Sequence, residues 1–468
     1  MTLTPEHPAE HADGDRRATA DGTSDPIPAT RSVDDALARY AEVEPEIRAF
    51  VEIFGSEARA DAASVHSGGI AGPLAGVPVA VKDLYDVAGH ATLNGSRAAD
   101  HTPAVSDCTV VRKLRDAGAV IVGKTVTHEY AFGAMSPPTR NPWNLDRVPA
   151  GSSGGSGAAV AAGVVPVAMG TDTGGSIRMP AAVCGVVGFK PSYGLISRTG
   201  ITPCSSTLDH AGPLAANVSL AAAVVDALAG VDPADPGSRS FPAPDAVASL
   251  DRGVDGLTLG VPENFFFETA DTDIAEAVHA AARELEAAGA QLVPVTFPTP
   301  QECSDAVVAI AAAEAALYHR DRFAARRDLF EPDVAAALDL GLGLSAVDLV
   351  EALDFRSALM RAGSEMFAGV DAVITPTIGT EPPPLEATSM MLGGREVSTL
   401  SGLNAFTVQA NLLGAPGLAV PAGLNANGMP VSMHIMTAPG HDALALAIGR
   451  AYERRTDWGR LVPPLTAH

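Results

Sequence analysis

Serine hydroxyls and glycines are packed between Ala150 and Pro191 more densely than anywhere else in this 468-residue chain. Two clusters dominate, Gly151-Ser152-Ser153-Gly154-Gly155-Ser156-Gly157 and Gly170-Thr171-Asp172-Thr173-Gly174-Gly175-Ser176. Glycine loses the most backbone entropy on folding, so a globular chain keeps such clusters for tight turns or for close approach of backbone to a ligand. The second cluster follows the apolar run Val164 to Met169, a short buried strand, and predicts a loop rich in outward-pointing N–H groups. A serine beside such amides can attack a carbonyl and have the oxyanion held in place.

Other uses of these residue types fit less well. Gly/Ser-rich stretches commonly serve as linkers, but a helix predicted over Ala158 to Ala162, closed by Gly163, and the strand after it argue against one. A phosphate cradle needs Gly-Lys-Ser/Thr, and neither cluster holds a lysine. The dinucleotide fingerprint fails because Val160 stands where a third glycine must follow Gly155 and Gly157.

The two clusters resemble the signature of the amidase signature enzymes. The match covers the Gly-Ser-Ser-Gly-Gly-Ser block, the Gly-Thr-Asp-Thr-Gly-Gly-Ser-Ile-Arg block and the 24-residue separation of Ser152 from Ser176. The resemblance implies that Ser176 is the nucleophile, that Ser152 relays protons after a cis peptide from Gly151, and that Lys82 is the base. It further implies that the N–H groups of Thr173, Gly174 and Gly175, with Ser176 as a fourth candidate, hold the oxyanion. Asp172 and Arg178 are expected to brace the loop as a charge-assisted pair, and Ser153 is either a hydrogen-bonding support or a plain turn serine. No metal and no cofactor are implied.

The chemistry requires these types. A serine hydroxyl is a poor nucleophile without an adjacent base. A lysine serves as that base only when neutral, so its pKa must be lowered by burial or by neighbouring dipoles. Lys82 ends the apolar run Val77 to Val81, which suits burial, although a lone lysine outside a motif reads as a solvated surface charge.

Composition bounds the rest. With 47% hydrophobic and 18% charged residues, the chain is expected to be a soluble globular protein. A net charge of −24 argues against direct nucleic-acid binding or an anionic membrane, while leaving transfer RNA handled through a partner subunit open. The four cysteines show neither metal-ligand spacing nor a disulfide framework, and no signal core or membrane span is evident, so a cytoplasmic location is expected. Residues 1–30 are polar and rich in breakers and read as a disordered tail, leaving 31–468 as one catalytic domain.

The elements that must position the site follow. A capped helix starts after Ser32, and Val51 to Ala63 predicts further helix. The strand Val77–Val81, a helix over Asp107–Ala117 and the strand Ala119–Val122 form a βαβ unit, which puts Lys82 just beyond the carboxyl end of a strand. Ser176 follows its own strand in the same sense, so the two can meet. Ala134 to Asn144 is a plausible pocket wall, and His128 and His210 read as structural histidines. Val126 stands where many relatives of the family carry asparagine. Leu257–Val261, Asp273–Ala288 and Gln291–Val295 make a second βαβ unit. Residues 300–370 are mostly helical, the region that shapes substrate preference in the family, and 320–370 does not resemble the transamidase branch. The strand Ala372–Thr375, the segments Phe406–Asn411 and Gly414–Gly423, a strand at Val431–Met436 and a helix over Asp442–Arg454 complete the resemblance, which runs from about residue 33 to 455. The implied fold is a single α/β domain, a large mixed β-sheet covered by helices on both sides.

The expected function is hydrolysis of a small-molecule carboxylic amide to acid plus ammonia or amine through an acyl-Ser176 intermediate, with esters as near neighbours. Two alternatives stay open: a catalytic subunit like that of glutamyl-tRNA amidotransferase, and a non-catalytic binding relative. Retention of Lys82, Ser152 and Ser176 together weighs against the latter. A homodimer is neither required nor excluded.

Overall fold

The computed structural model describes residues 32–67, 72–458 and 461–466; the tail expected at 1–30 lies outside them. In chain order the strands are β1 (Phe50–Ile53), β2 (Pro78–Lys82), β3 (Val120–Thr125), β4 (Val167–Asp172), β5 (Val187–Lys190), β6 (His210–Ala215), β7 (Thr258–Pro262), β8 (Gln291–Val295), β9 (Ala372–Pro376), β10 (Ser389–Leu392), β11 (Arg395–Ser398), β12 (Gly417–Leu424) and β13 (Pro430–Thr437). All but β10 and β11, which pair with each other, join one 11-stranded mixed sheet in the order β1-β3-β2-β4-β6-β5-β12-β13-β9-β7-β8. Both expected βαβ units are present, with β2 parallel to β3 and β7 parallel to β8.

The inner strands β2, β4, β5, β6 and β9 are buried on both faces, and the alternation along the sheet sorts side chains into two cores. Val79 and Val81 of β2 and Val167 and Met169 of β4 point into one cluster, shared with the helices Val218–Leu228, Thr272–Ala287 and Asp442–Glu453. Ala80 and Ala168 point into the other, shared with Val33–Ile47 and Gly154–Ala161. This two-unit period is what a sheet sandwiched between helix layers demands. The result is a single α/β domain with helices on both sides of the sheet. Among the described residues no helix is long and apolar enough to cross a membrane.

Three expectations are corrected. The helix predicted over Val51 to Ala63 is strand β1 followed by the helix Gly55–Ser67, because β1 finds an antiparallel partner in β3 (Phe50 opposite Thr125) that a local pattern does not reveal. The strand predicted over Val164 to Met169 runs instead from Val167 to Asp172, held to its end by β6, where Asp172 faces His210. Thr171 and Asp172 are therefore strand, not loop. The helix predicted from Ala158 starts already at Gly154, so Gly154 to Gly157 of the first cluster form its opening turn. Glycine's poor helix propensity hides that start. Here glycine is needed, since a Cβ on Gly155 would lie 2.5 Å from both the Ala49 carbonyl oxygen and the Val126 nitrogen.

The helices Cys303–Arg326, Pro332–Gly343 and Ala346–Phe367 make up the predicted helical region. The first two line the cavity into which the second glycine cluster opens.

Candidate active site

Lys82 is the last residue of β2, and β2 runs parallel to its neighbour β4. The lysine and the loop after Asp172 therefore leave the sheet at the same edge. Lys82 is fully buried, and its Nζ donates to Ser152 Oγ at 2.7 Å and to Thr171 Oγ1 at 2.8 Å. Burial lowers its pKa to about 7, against the opposing pull of the Asp209 and Asp172 carboxylates.

Burial alone does not mark this lysine, because Lys124 and Lys190 are also wholly buried. Lys124 forms an ion pair with Asp83 at 2.8 Å. Lys190 donates to the backbone carbonyls of Pro191 and Ala415, and burial followed by the charge of Arg178 pushes its pKa well down. Of the three, Lys82 is the one whose ammonium nitrogen meets a serine hydroxyl.

Ser152 follows a cis peptide bond from Gly151. Its carbonyl accepts from the His128 N–H at 3.1 Å and from Ser136 Oγ at 2.9 Å, which fixes the residue that presents its hydroxyl to Lys82. Ser153 ties the same turn to β4: its Oγ donates to the Thr171 carbonyl at 3.1 Å and accepts from the Thr171 N–H at 3.2 Å. Val126 acts through its backbone, its N–H donating to the Ala49 carbonyl and its C=O accepting from Gly155, so the departure from asparagine leaves these contacts in place.

The loop that carries Ser176 is built around Asp172. Its carboxylate accepts from the Gly175 N–H at 2.8 Å and the Ile177 N–H at 3.1 Å, and from Arg178 Nε and Nη2 at 3.0 and 2.9 Å. Burial would raise the Asp172 pKa, but the Arg178 charge and hydrogen bonds prevail and hold it well below the usual carboxylate range. Arg178 also donates to the Thr407 carbonyl at 2.8 Å and to Asn411 Oδ1 at 2.7 Å, while Asn411 Nδ2 donates back to Asp172 Oδ1 at 2.8 Å. A buried arginine with this many acceptors forms a rigid brace.

Of the expected oxyanion donors, the Gly175 N–H donates to Asp172 Oδ1. The amides of Thr173, Gly174 and Ser176 make no hydrogen bond among the described residues. Gly175 has φ +131°, and a Cβ there would sit 2.1 Å from Thr407 Oγ1, so glycine is required for turning the loop.

Ser176 is 6% exposed and, with Thr173 and Gly174, lines a cavity of about 580 Å³. Among the described residues no hydrogen bond joins it to Ser152 or Lys82. The structure thus brings Lys82 and Ser152 into contact and sets Ser176 on the cavity wall. His128 lies on the rim with its Nε2 3.0 Å from Asp333 Oδ2. His210 is buried with Nδ1 3.1 Å from the Asp172 carbonyl, and burial pushes its pKa well down, which keeps it neutral. Ala134 and Met135 of the predicted pocket wall line the cavity.

Sequence reasoning misses four residues. Thr171 is the second partner of Lys82. Asp209 accepts from Thr173 Oγ1 at 2.6 Å and from the Cys204 and Ser205 amides. Thr407 and Asn411 complete the brace. Thr171 lies inside the motif but reads as loop, Thr407 and Asn411 lie in the segment Phe406–Asn411 whose resemblance carries no role for them, and Asp209 has no local signature.

A family model described as Amidase matches residues 31–446. The chain is 38% identical over 452 residues to an amidase from Pseudomonas putida, covering 94% of this chain and 95% of that protein. It is 36% identical over 463 residues to one subunit of the glutamyl-tRNA(Gln) amidotransferase from Roseiflexus castenholzii (strain DSM 13941 / HLO8), covering 92% of this chain and 93% of that subunit. A crystal structure of an amidase superposes with a TM-score of 0.81 at 34% identity, covering 90% of this chain and 95% of the other. Family model, relatives and fold agree, and the chain belongs to the amidase signature family and is an amidase.

Proposed function

We propose that the chain hydrolyses a carboxylic amide through an acyl-enzyme on Ser176. Ser176 Oγ attacks the carbonyl carbon as its proton passes to Ser152 Oγ and the Ser152 proton passes to Lys82 Nζ. The amides of Thr173, Gly174 and Ser176 are the donors for the oxyanion. Collapse breaks the C–N bond, the relay returns the proton to the departing nitrogen, and ammonia or an amine leaves. Water then attacks the ester by the same relay, giving the acid and free Ser176.

The observation that carries this reading is the 2.7 Å contact of Lys82 Nζ with Ser152 Oγ in a wholly buried setting. A lysine with a pKa near 7 is poised between base and acid at neutral pH, which both halves of the cycle need. The test is ammonia or amine release from a panel of aliphatic, aryl, dicarboxylic and urea-type amides, with Ser176→Ala protein as the blank. Release by the wild type alone is the expected result; equal release by the variant removes Ser176 as nucleophile.

The likeness to amidotransferase subunits favours a second reading, in which ammonia is handed to a partner. Turnover of free amides by the isolated chain separates the two.

A further inference from the structure

The cavity before Ser176 has a composition that bears on substrate. Its walls come from Phe132, Met179, Val307, Ala311, Leu340 and Leu400, among other mainly apolar side chains. Positions 307, 308, 311 and 312 fall on one face of the helix Cys303–Arg326, and the small side chains of Ala311 and Ala312 leave the volume open. Among the described residues no lysine or arginine lines it. Its one carboxylate, Asp333, is paired with His128 at the rim.

A substrate carboxylate placed in that cavity loses water without gaining a cation, which is costly. A bulky apolar group gains, because about 580 Å³ lies within the range of pockets that enclose a small organic ligand. We propose that this amidase acts on uncharged carboxamides carrying a bulky apolar substituent, aryl or extended alkyl, and discriminates against amides with a carboxylate on that substituent. The inference rests on the reading of Ser176 as the nucleophile only for turnover; the cavity's preference is also a binding property. The reaction is R–CO–NH₂ plus water giving R–COOH plus ammonia, with R seated against the helix Cys303–Arg326.

The test compares 3-phenylpropionamide with succinamic acid and acetamide. Burying about 100 Å² of phenyl surface is worth roughly 50-fold in kcat/KM, so 3-phenylpropionamide is expected to lead both by that order. Calorimetry on Ser176→Ala protein with the same compounds reads binding without turnover. Equal or stronger binding of succinamic acid overturns the inference. Preferential binding of 3-phenylpropionamide without wild-type turnover overturns the free-amide hydrolase reading instead and leaves the cavity's preference standing. Two variants test the wall itself. Ala311→Trp is expected to weaken 3-phenylpropionamide binding tenfold or more. Leu340→Arg, at a site 47% exposed and so tolerant of replacement, is expected to shift the ratio at least tenfold towards succinamic acid. A folded Leu340→Arg protein with an unchanged ratio counts against the assignment.

Discussion

Thr407 Oγ1 donates to the Gly174 carbonyl at 2.6 Å across a separation of 233 residues. The bond turns the Gly174 peptide so that its oxygen faces Thr407. Together with the Arg178 contacts to Thr407 and Asn411, it makes the helix Val408–Leu413 and its lead-in the scaffold of the loop that carries Ser176.

Removing that hydroxyl tests the scaffold. Thr407→Val is expected to lower kcat tenfold or more with little change in KM, while costing only about 1 kcal/mol of stability, the net worth of a typical hydrogen bond. Thr407→Ser restores the donor and is expected to recover most of kcat. Steady-state kinetics beside urea denaturation read the two effects separately.

Ser176→Ala is expected to reduce amide turnover by about 10⁴-fold or more, as loss of a covalent nucleophile does. Because Ser176 makes no side-chain hydrogen bond among the described residues, the thermal midpoint is expected to stay within a degree or two. A slowly deacylating ester should add its acyl mass to the wild type and not to the variant.

The rate is expected to rise about tenfold per pH unit below 7 and to level off above it. In the proposed relay Lys82 acts when neutral, and its pKa is lowered to about 7 by burial. The sign for stability agrees. The unfolded lysine holds its proton up to about pH 10.4 and the folded one releases it near 7, so the unfolded state binds more protons between those values. Stability therefore gains from this group as pH rises through that window and loses it as pH falls towards 7. Lys82→Arg, which never loses its proton, is expected to be inactive at every pH, and a pH–rate profile of both proteins checks the pair of statements.

Arg178→Ala strands the Asp172 carboxylate in a buried site. Breaking one partner of such a pair costs about 3–5 kcal/mol, so a large fall in urea midpoint is expected along with loss of activity. The wild-type pair contributes fully above about pH 4, the unfolded carboxylate value, and its contribution declines only in stronger acid, because the folded Asp172 pKa is depressed. Acid unfolding curves of both proteins read that difference.

Much of the site is legible in the sequence because its chemistry is written in contiguous residues. Lys82 closes an apolar strand, and Ser152 and Ser176 sit in clusters whose glycines have no cheaper explanation. What stays hidden depends on distant pairing. Thr171 and Asp172 read as loop because the glycines and aspartate of that stretch are weak strand formers, yet β6 holds both residues in the sheet. Val51 to Ile53 reads as continuous with a helix until β3 supplies the strand's partner. Gly175 reads as one more free amide, and only the fold shows that its N–H belongs to Asp172. The bracing contacts of Thr407 and Asn411 are invisible for the same reason, since no local pattern encodes a neighbour more than 200 positions away.

The sheet order also sets a timetable for synthesis. A ribosome-bound chain that has emerged only as far as β11 already contains Lys82 and Ser152, but β5 still lacks β12, the strand that pairs Gly417 with Lys190. Its open edge is a site for mispairing until β12 has been made. Over the same interval Arg178 has neither Thr407 nor Asn411 to grip. The loop that carries Ser176 thus gains its full brace only once Thr407 and Asn411 have been made.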